Sequence, residues 1–206
     1  MKKNKIEASK DELVVQVGEA DSSAILSLVD DLYDFDLTAK FGGVCFQHRA
    51  GVPNPWRWVD GIGDLSIYSS FYNVQPNKLD TCATDFNVLN EYFNNTIIEK
   101  IIATYNLTRC RVLWKTPLTS YPVHSDLSKT LHIPLITDPH NYFYFPDHDA
   151  GFHLELNKVY IVDTSENHLF VNAGKIKRLH LNATVADSLC FTRDKDGILH
   201  PNDIYK

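Results

Sequence analysis

Residues 158–185 read KVYIVDTSENHLFVNAGKIKRLHLNATV. Branched and aromatic residues gather into three runs, KVYIVD, HLFVN and KIKRLHLNATV, and turn formers such as Ser165, Asn167 and Gly174 stand between them. Side chains of the first kind fit a pleated surface, and residues of the second kind supply the dihedrals of tight turns. The stretch therefore predicts three strands joined by short turns. Moving towards the N-terminus, five more runs follow the same grammar: TRCRVLWKT, SYPVH, TLHIPLIT, NYFYF and GFHLEL, the first beginning at Thr108. Eight closely spaced strands broken by Pro, Asp, Asn and Gly predict an antiparallel sandwich or barrel, and eight suits a double-stranded β-helix, the jelly roll of cupin-like proteins.

The first half of the chain has a different texture. DSSAILSLVDDLYDF (21–35) opens on a cap signal and places apolar residues at helical spacing, which predicts a short helix. FGGVCFQHRAG (41–51) reads as a strand entering a turn, and VPNPWRWVDGIGD (52–64) as an irregular loop. DFNVLNEYFNNTIIEKIIATYN (85–106) repeats apolar residues with helical period and predicts the longest helix of the chain. Residues 1–12 read as a frayed end and TRDKDGILHPNDIYK (192–206) as loop. The expected organisation is mainly β and one domain over 1–206. Residues 13–108 give helical and mixed support with substrate loops, 109–185 the double-stranded β-helix core, and 186–206 the tail. The helices should pack on one sheet.

Bulk properties narrow the function. With 44% hydrophobic residues the 206-residue chain can bury a substantial core. Its formal net charge of −6 argues against a nucleic-acid partner, because phosphate contacts need clustered Lys and Arg. No apolar run is long enough for a membrane span, and the basic start lacks the apolar stretch of a secretory signal. Cys45, Cys82, Cys110 and Cys190 form no CxxC pair, so four reduced thiols in a cytoplasmic protein are expected. Nothing in the sequence sets an oligomeric state.

Chemistry gathers on the predicted strands. YPVHSDLSKTLHIPL (121–135) ends its second strand in His124 and Asp126, and His168 opens the seventh. In a jelly roll those two strands are neighbours in one sheet, so two imidazoles and a carboxylate meet at one point. Such a set leaves three coordination positions open, as non-haem Fe(II) requires to take a cosubstrate and O2 together. Zinc also fits the donors, although catalytic zinc keeps one open position. Arg178 follows ten residues after His168, beyond the NAGK turn and on the facing sheet. Alternation puts Ile176, Arg178 and His180 on the inward side and Lys175 and Lys177 on the other. A buried Arg needs an anionic partner, and the far carboxylate of 2-oxoglutarate would supply one through a two-pronged hydrogen bond. His180 reads as either a second pocket histidine or a satisfied core histidine, and the core reading is preferred.

The ordered pieces HSD, LHIPL, FHLELNKVYIVD, NH and RLHL resemble the 2-oxoglutarate/Fe(II)-dependent oxygenases, specifically the aspartyl/asparaginyl β-hydroxylase family, which includes small proline hydroxylases. The resemblance spans residues 109–185. It implies iron held by His124, Asp126 and His168, the distal 2-oxoglutarate carboxylate held by Arg178, and the near end contacted by His132. It also implies hydroxylation of an amino acid or a peptidyl Asp, Asn or Pro side chain, with 2-oxoglutarate converted to succinate. Asp126 favours hydroxylation over halogenation, in which a halide takes that ligand position. Family members often carry Arg where this chain has Thr130. In the first half, Arg49 and Arg57 stand beside aromatic residues and are candidate contacts for an amino-acid or peptide substrate. Two rival readings fit the same residues: a jelly-roll binding module without catalysis, and a cupin-like metalloenzyme that does not use 2-oxoglutarate.

Overall fold

The structure, a computed structural model, describes residues 9–30, 32, 42–62, 82–188, 191–193 and 199–201. A one-turn helix α1 (Lys10–Leu13) leads into β1 (Val14–Glu19), helix α2 (Ser22–Asp30), β2 (Gly43–Cys45), β3 (Gln47–His48) and β4 (Val88–Leu89). Helix α3 (Ile97–Thr104) then precedes β5 (Leu107–Lys115), β6 (Thr119–Ser120), β7 (Thr130–Ile136), β8 (Asn141–Phe145) and β9 (Ala150–Phe152). The chain continues through β10 (Lys158–Val162), β11 (Leu169–Asn172), β12 (Arg178–Val185), β13 (Phe191–Arg193) and β14 (Leu199–Pro201).

Two antiparallel sheets face each other. The larger runs β1-β10-β7-β12-β5-β2 and the smaller β6-β11-β8-β9. This is the expected mainly β, double-stranded β-helix; six of the eight runs between 108 and 185 form strands, while SYPVH adds only Ser120 to β6 and a bridge at His124, and GFHLEL only its first two residues to β9. The central strands β7 and β12 are buried along nearly their whole length. Their alternating residues face two different environments. Leu131, Ile133 and Leu135 of β7 and Leu179, Leu181 and Ala183 of β12 join Ile25 and Val29 of α2 and Ile98 and Ile101 of α3 in one apolar core. The helices thus pack on the outer face of the large sheet, as expected. The opposite face of the same strands carries Thr130, His132, Arg178, His180, Asn182 and Thr184, all buried. At one end of the space between the sheets, Phe143, Phe145 and Phe170 pack against Tyr160 and Val162 in a second apolar cluster.

Several local expectations change. The long helix over 85–106 is only α3; Val88–Leu89 pairs with Gln47–His48, and Glu91–Phe93 is a 3-10 turn. The break sits at Asn94-Asn95, where Asn95 takes a left-handed φ of 61°, tolerated by its short polar side chain. Thr96 then caps α3 by accepting a hydrogen bond from the Ile98 amide at 3.2 Å. The apolar residues before the break enter the core from the other elements, as Phe93 does edge-on to Phe46 at 4.6 Å. Residues 10–12, expected to fray, are helical, and β1 adds an edge strand that its weak alternation hid. Part of the tail is a hairpin rather than loop, with Phe191–Arg193 pairing Leu199–Pro201. Residues 1–8, the end of the predicted 21–35 helix, the end of the 52–64 loop, Cys190 and the rest of the tail lie outside the described residues. Cys45, Cys82 and Cys110 are free thiols. No described helix is long and apolar enough to cross a membrane.

Candidate metal centre

The short β6–β11 ladder sets the site. Past its last paired strand residues the chains meet once more at His124 and His168, which exchange backbone hydrogen bonds of 3.0 and 2.8 Å. Reciprocal bonding of this kind puts both side chains on one side of the ladder. Their rings lie 4.4 Å apart, centroid to centroid. Asp126 is brought alongside by its amide, which donates to the Thr164 carbonyl at 2.7 Å. One potential ligand atom from each of His124, Asp126 and His168 then lies within 4.8 Å of the others. The three residues drawn from two segments of the sequence therefore converge.

The histidines are also in the right tautomer. His124 Nδ1 lies 2.8 Å from the Pro122 carbonyl and His168 Nδ1 lies 3.0 Å from the Glu166 carbonyl. A carbonyl only accepts, so each Nδ1 carries the proton and each Nε2 keeps its lone pair for a metal. Burial lowers the His168 pKa, the Asp126 charge opposing, and so favours the neutral, ligating imidazole.

Arg178 lies on the inner face of β12 with 5% of its surface exposed. Its guanidinium stacks 3.6 Å above the Phe170 ring, and its Nη2 donates to His180 Nδ1. No carboxylate faces it among the described residues, and desolvation by burial pulls its pKa down from 12.5 to about 9. Its Nε is buried without a partner. His180 is therefore no satisfied core residue: its Nδ1 accepts from Arg178, and its buried Nε2 has no partner. Ile176, expected to share the inward side, is instead exposed, because β12 begins only at Arg178.

His132 sits next to this pair, its ring 5.8 Å from that of His180. Its Nε2 is 3.0 Å from Thr130 Oγ1 and 3.1 Å from Asn182 Nδ2. The Asn182 amide nitrogen only donates, so Nε2 is the acceptor and the proton resides on Nδ1. That Nδ1 is buried and unpartnered. Burial first, and then the Arg178 charge, hold both His132 and His180 far below the ordinary histidine pKa. Thr130 therefore serves to fix the His132 ring. Three N–H donors, on Arg178, His180 and His132, are left without acceptors on one polar face.

The first-half arginines pair locally. Arg49 grips Asp60 with backbone and side-chain hydrogen bonds, the shortest 2.6 Å, and Arg57 reaches Glu91 at 2.9 Å. Sequence reading missed Arg111, which lies in register with Asn182 and so shares the polar inner face. Its signal was the alternation of Cys110 and Val112, both buried in the helix-side core, around a charged residue on a buried strand.

No protein-family model matches the chain, and no curated protein matches it in sequence. Among solved structures it is similar to the viral collagen prolyl hydroxylase of Paramecium bursaria Chlorella virus-1. The truncated form gives a TM-score of 0.50 at 11% identity, over 88% of this chain and 96% of that one. The 2OG complex of the same enzyme gives 0.46 at 10% identity, over 84% and 95%. A cupin domain from Bordetella pertussis Tohama I gives 0.33 at 13% identity, over 37% of this chain and 78% of that domain. The first of these likenesses bears on the fold, and it agrees with the jelly roll seen in the sheet order.

Proposed function

We propose that the chain is an Fe(II)- and 2-oxoglutarate-dependent dioxygenase that hydroxylates an amino acid or an amino-acid side chain within a peptide. The observation that carries this reading is a pairing of two features. A His-Asp-His cluster has both Nε2 atoms free, and the facing sheet holds three buried N–H donors that lack acceptors. The first fits a metal that binds imidazole and carboxylate with open positions. The second fits a ligand that brings carboxylate oxygens into the space between the sheets. The fold shared with a prolyl hydroxylase and the aspartyl/asparaginyl β-hydroxylase-like motifs point the same way.

His124, Asp126 and His168 would hold iron, which when bound with 2-oxoglutarate supplies O2 activation, turning a substrate C–H into C–OH as the cosubstrate leaves as succinate and CO2. Arg178 holds the distal carboxylate; its fork is oriented by His180 and supported by the Phe170 face. His132 offers a neutral Nδ1–H to the near end, with its ring locked by Thr130 and Asn182. Phe143 and Phe145 flank the His168 ring at 6.1 and 6.0 Å and keep its surroundings apolar. Anaerobic addition of Fe(II) and then 2-oxoglutarate to the protein tests the reading. A weak visible charge-transfer band should appear in the wild type and vanish in Arg178→Met. A folded, fully metal-loaded protein without the band would refute it. Succinate release accompanied by gain of one oxygen on an amino acid or peptide then identifies the substrate.

A further inference from the structure

Arg111 is a half-buried cation of the inner face, its Nε fully buried, that the proposed cosubstrate does not use. It occupies a row that crosses the large sheet. Cys45 on β2 is in register with Arg111 on β5, Arg111 with Asn182 on β12, and Asn182 with His132 on β7. Registered neighbours point to the same face, so Arg111 shares the His132 side. One prong of its guanidinium, Nη1, donates to the Gly61 carbonyl at 2.9 Å. Arg109 Nε donates to the same carbonyl, also at 2.9 Å. Arg111 Nε is buried and has no partner. Among the described residues the acid whose charge Arg111 feels is Asp126, and no hydrogen bond or ion pair joins the two.

Arg178 is in register with Lys115, four residues along β5 from Arg111. At the rise of a strand that is about 13 Å, so the two arginines serve opposite ends of the site. Buried charge is tolerated when paired. Arg111 lies where the Asp126 charge reaches it, and so at the metal end, where the substrate must lie.

Resting on the dioxygenase reading, we infer that Arg111 is the anchor for a carboxylate on the substrate, so that the enzyme selects an anionic substrate by a two-pronged, charge-assisted hydrogen bond. Nε and the guanidinium edge beside it are the prongs not held by Gly61. The carboxylate can be the α-carboxylate of a free amino acid or the side chain of a peptidyl Asp or Glu. The inferred chemistry is the same for both.

The test uses full-length protein loaded with Mn(II) and 2-oxoglutarate under argon. Paramagnetic relaxation of probe protons reports binding without turnover. Each free amino acid is compared with its carboxamide, and the blocked peptide Gly-Asp-Gly with blocked Gly-Asn-Gly. At least one acid should relax strongly while its amide partner does not, and the two series separate the free from the peptidyl source. Arg111→Gln should weaken that acid by at least about tenfold, as expected for loss of one side of a charged pair. Arg111→Lys should retain part of the binding. Both variants should keep 2-oxoglutarate affinity within about threefold of wild type and an unchanged urea midpoint slope. Equal binding of acid and amide, no binding by any acid, or a loss of metal or 2-oxoglutarate affinity in Arg111→Gln that matches the loss of the acid would overturn the inference. Failure of the dioxygenase reading looks different: wild-type protein would not bind 2-oxoglutarate, or Arg178→Met would bind it equally well.

Discussion

Replacing Arg178 by Met should make the ligand-free protein more stable and the ligand-bound protein less so. The side chain is buried, it faces no described carboxylate, and its pKa falls to about 9. Against the ordinary 12.5, and at about 1.4 kcal/mol per unit, the charged form is disfavoured in the ligand-free fold by about 5 kcal/mol. Stacking on Phe170 at 3.6 Å returns about 2 kcal/mol, and Met would forfeit it together with the bond to His180. The balance is a gain of about 1–2 kcal/mol for Arg178→Met, in the range seen when apolar residues replace buried charges. Urea unfolding without ligand should therefore show a higher midpoint at unchanged slope. In metal-loaded protein, 2-oxoglutarate at about a hundred times its dissociation constant adds about 2.7 kcal/mol to wild type. The variant should gain almost nothing, because truncating one side of a buried charge pair costs about 2–5 kcal/mol, or roughly 30-fold to several thousandfold in Kd. The ranking of the two proteins thus inverts on adding ligand. A variant less stable than wild type in both conditions, or one with the same ligand-induced shift, would refute the argument that Arg178 is a strained, waiting cation.

Acid should unfold the protein early. The folded pKa values of His132 and His180 lie well below 6.5, so below that pH the unfolded chain binds more protons. The stability contributed by the neutral rings is complete above about pH 6.5 and is lost as pH falls, at about 1.4 kcal/mol per pH unit for each ring. Urea midpoints at pH 7 and 5.5 measure this, and equal midpoints would count against it. Asp126→Ala should leave far-UV dichroism and the unfolding midpoint nearly unchanged while lowering Mn(II) affinity, read by electron paramagnetic resonance, by at least about 10–100-fold. Asn172→Ala should destabilise by about 2–4 kcal/mol. The Asn172 side chain donates to the carbonyls of Lys115, Thr116 and Ile176 and accepts from the Gly174 amide, tying the turn between β11 and β12.

What could be read in the sequence follows from how local each signal is. The strands of the second half are legible because short runs bounded by Pro, Asn and Gly carry their own boundaries. His124, Asp126 and His168 are legible because jelly-roll topology makes their two strands neighbours, and the backbone bridge between the two histidines shows that neighbourhood directly. The 85–106 helix misled because Val88, Leu89, Tyr92 and Phe93 repeat with helical period, yet Leu89 and Phe93 reach the core from a strand and a 3-10 turn while Tyr92 stays exposed, a tertiary choice that periodicity does not see. His180 misled for a related reason. Its Nδ1 partner is Arg178, two residues away on the same strand face, but the free Nε2 becomes visible only when the opposing Phe170 is in place. Arg111 went unread because its significance lies in cross-strand register with Asn182, which only the sheet order supplies.

The two faces of β12 join fold to function. A strand covered on both sides is ordinarily apolar on both, because that maximises burial without stranding polar groups. Here Leu179, Leu181 and Ala183 follow that rule towards the helices, while Arg178, His180 and Asn182 break it towards the smaller sheet. Each unpartnered donor on that face costs about 1–3 kcal/mol in the absence of ligand. The outer core supplies the margin, since each fully buried Leu or Ile there returns about 1.5–3 kcal/mol. An apolar inner face would have given a more stable barrel with nothing to bind. The polar face is therefore best explained by what enters it: an anionic cosubstrate that supplies the missing acceptors at one end and, at Arg111, an anionic substrate that supplies them at the other.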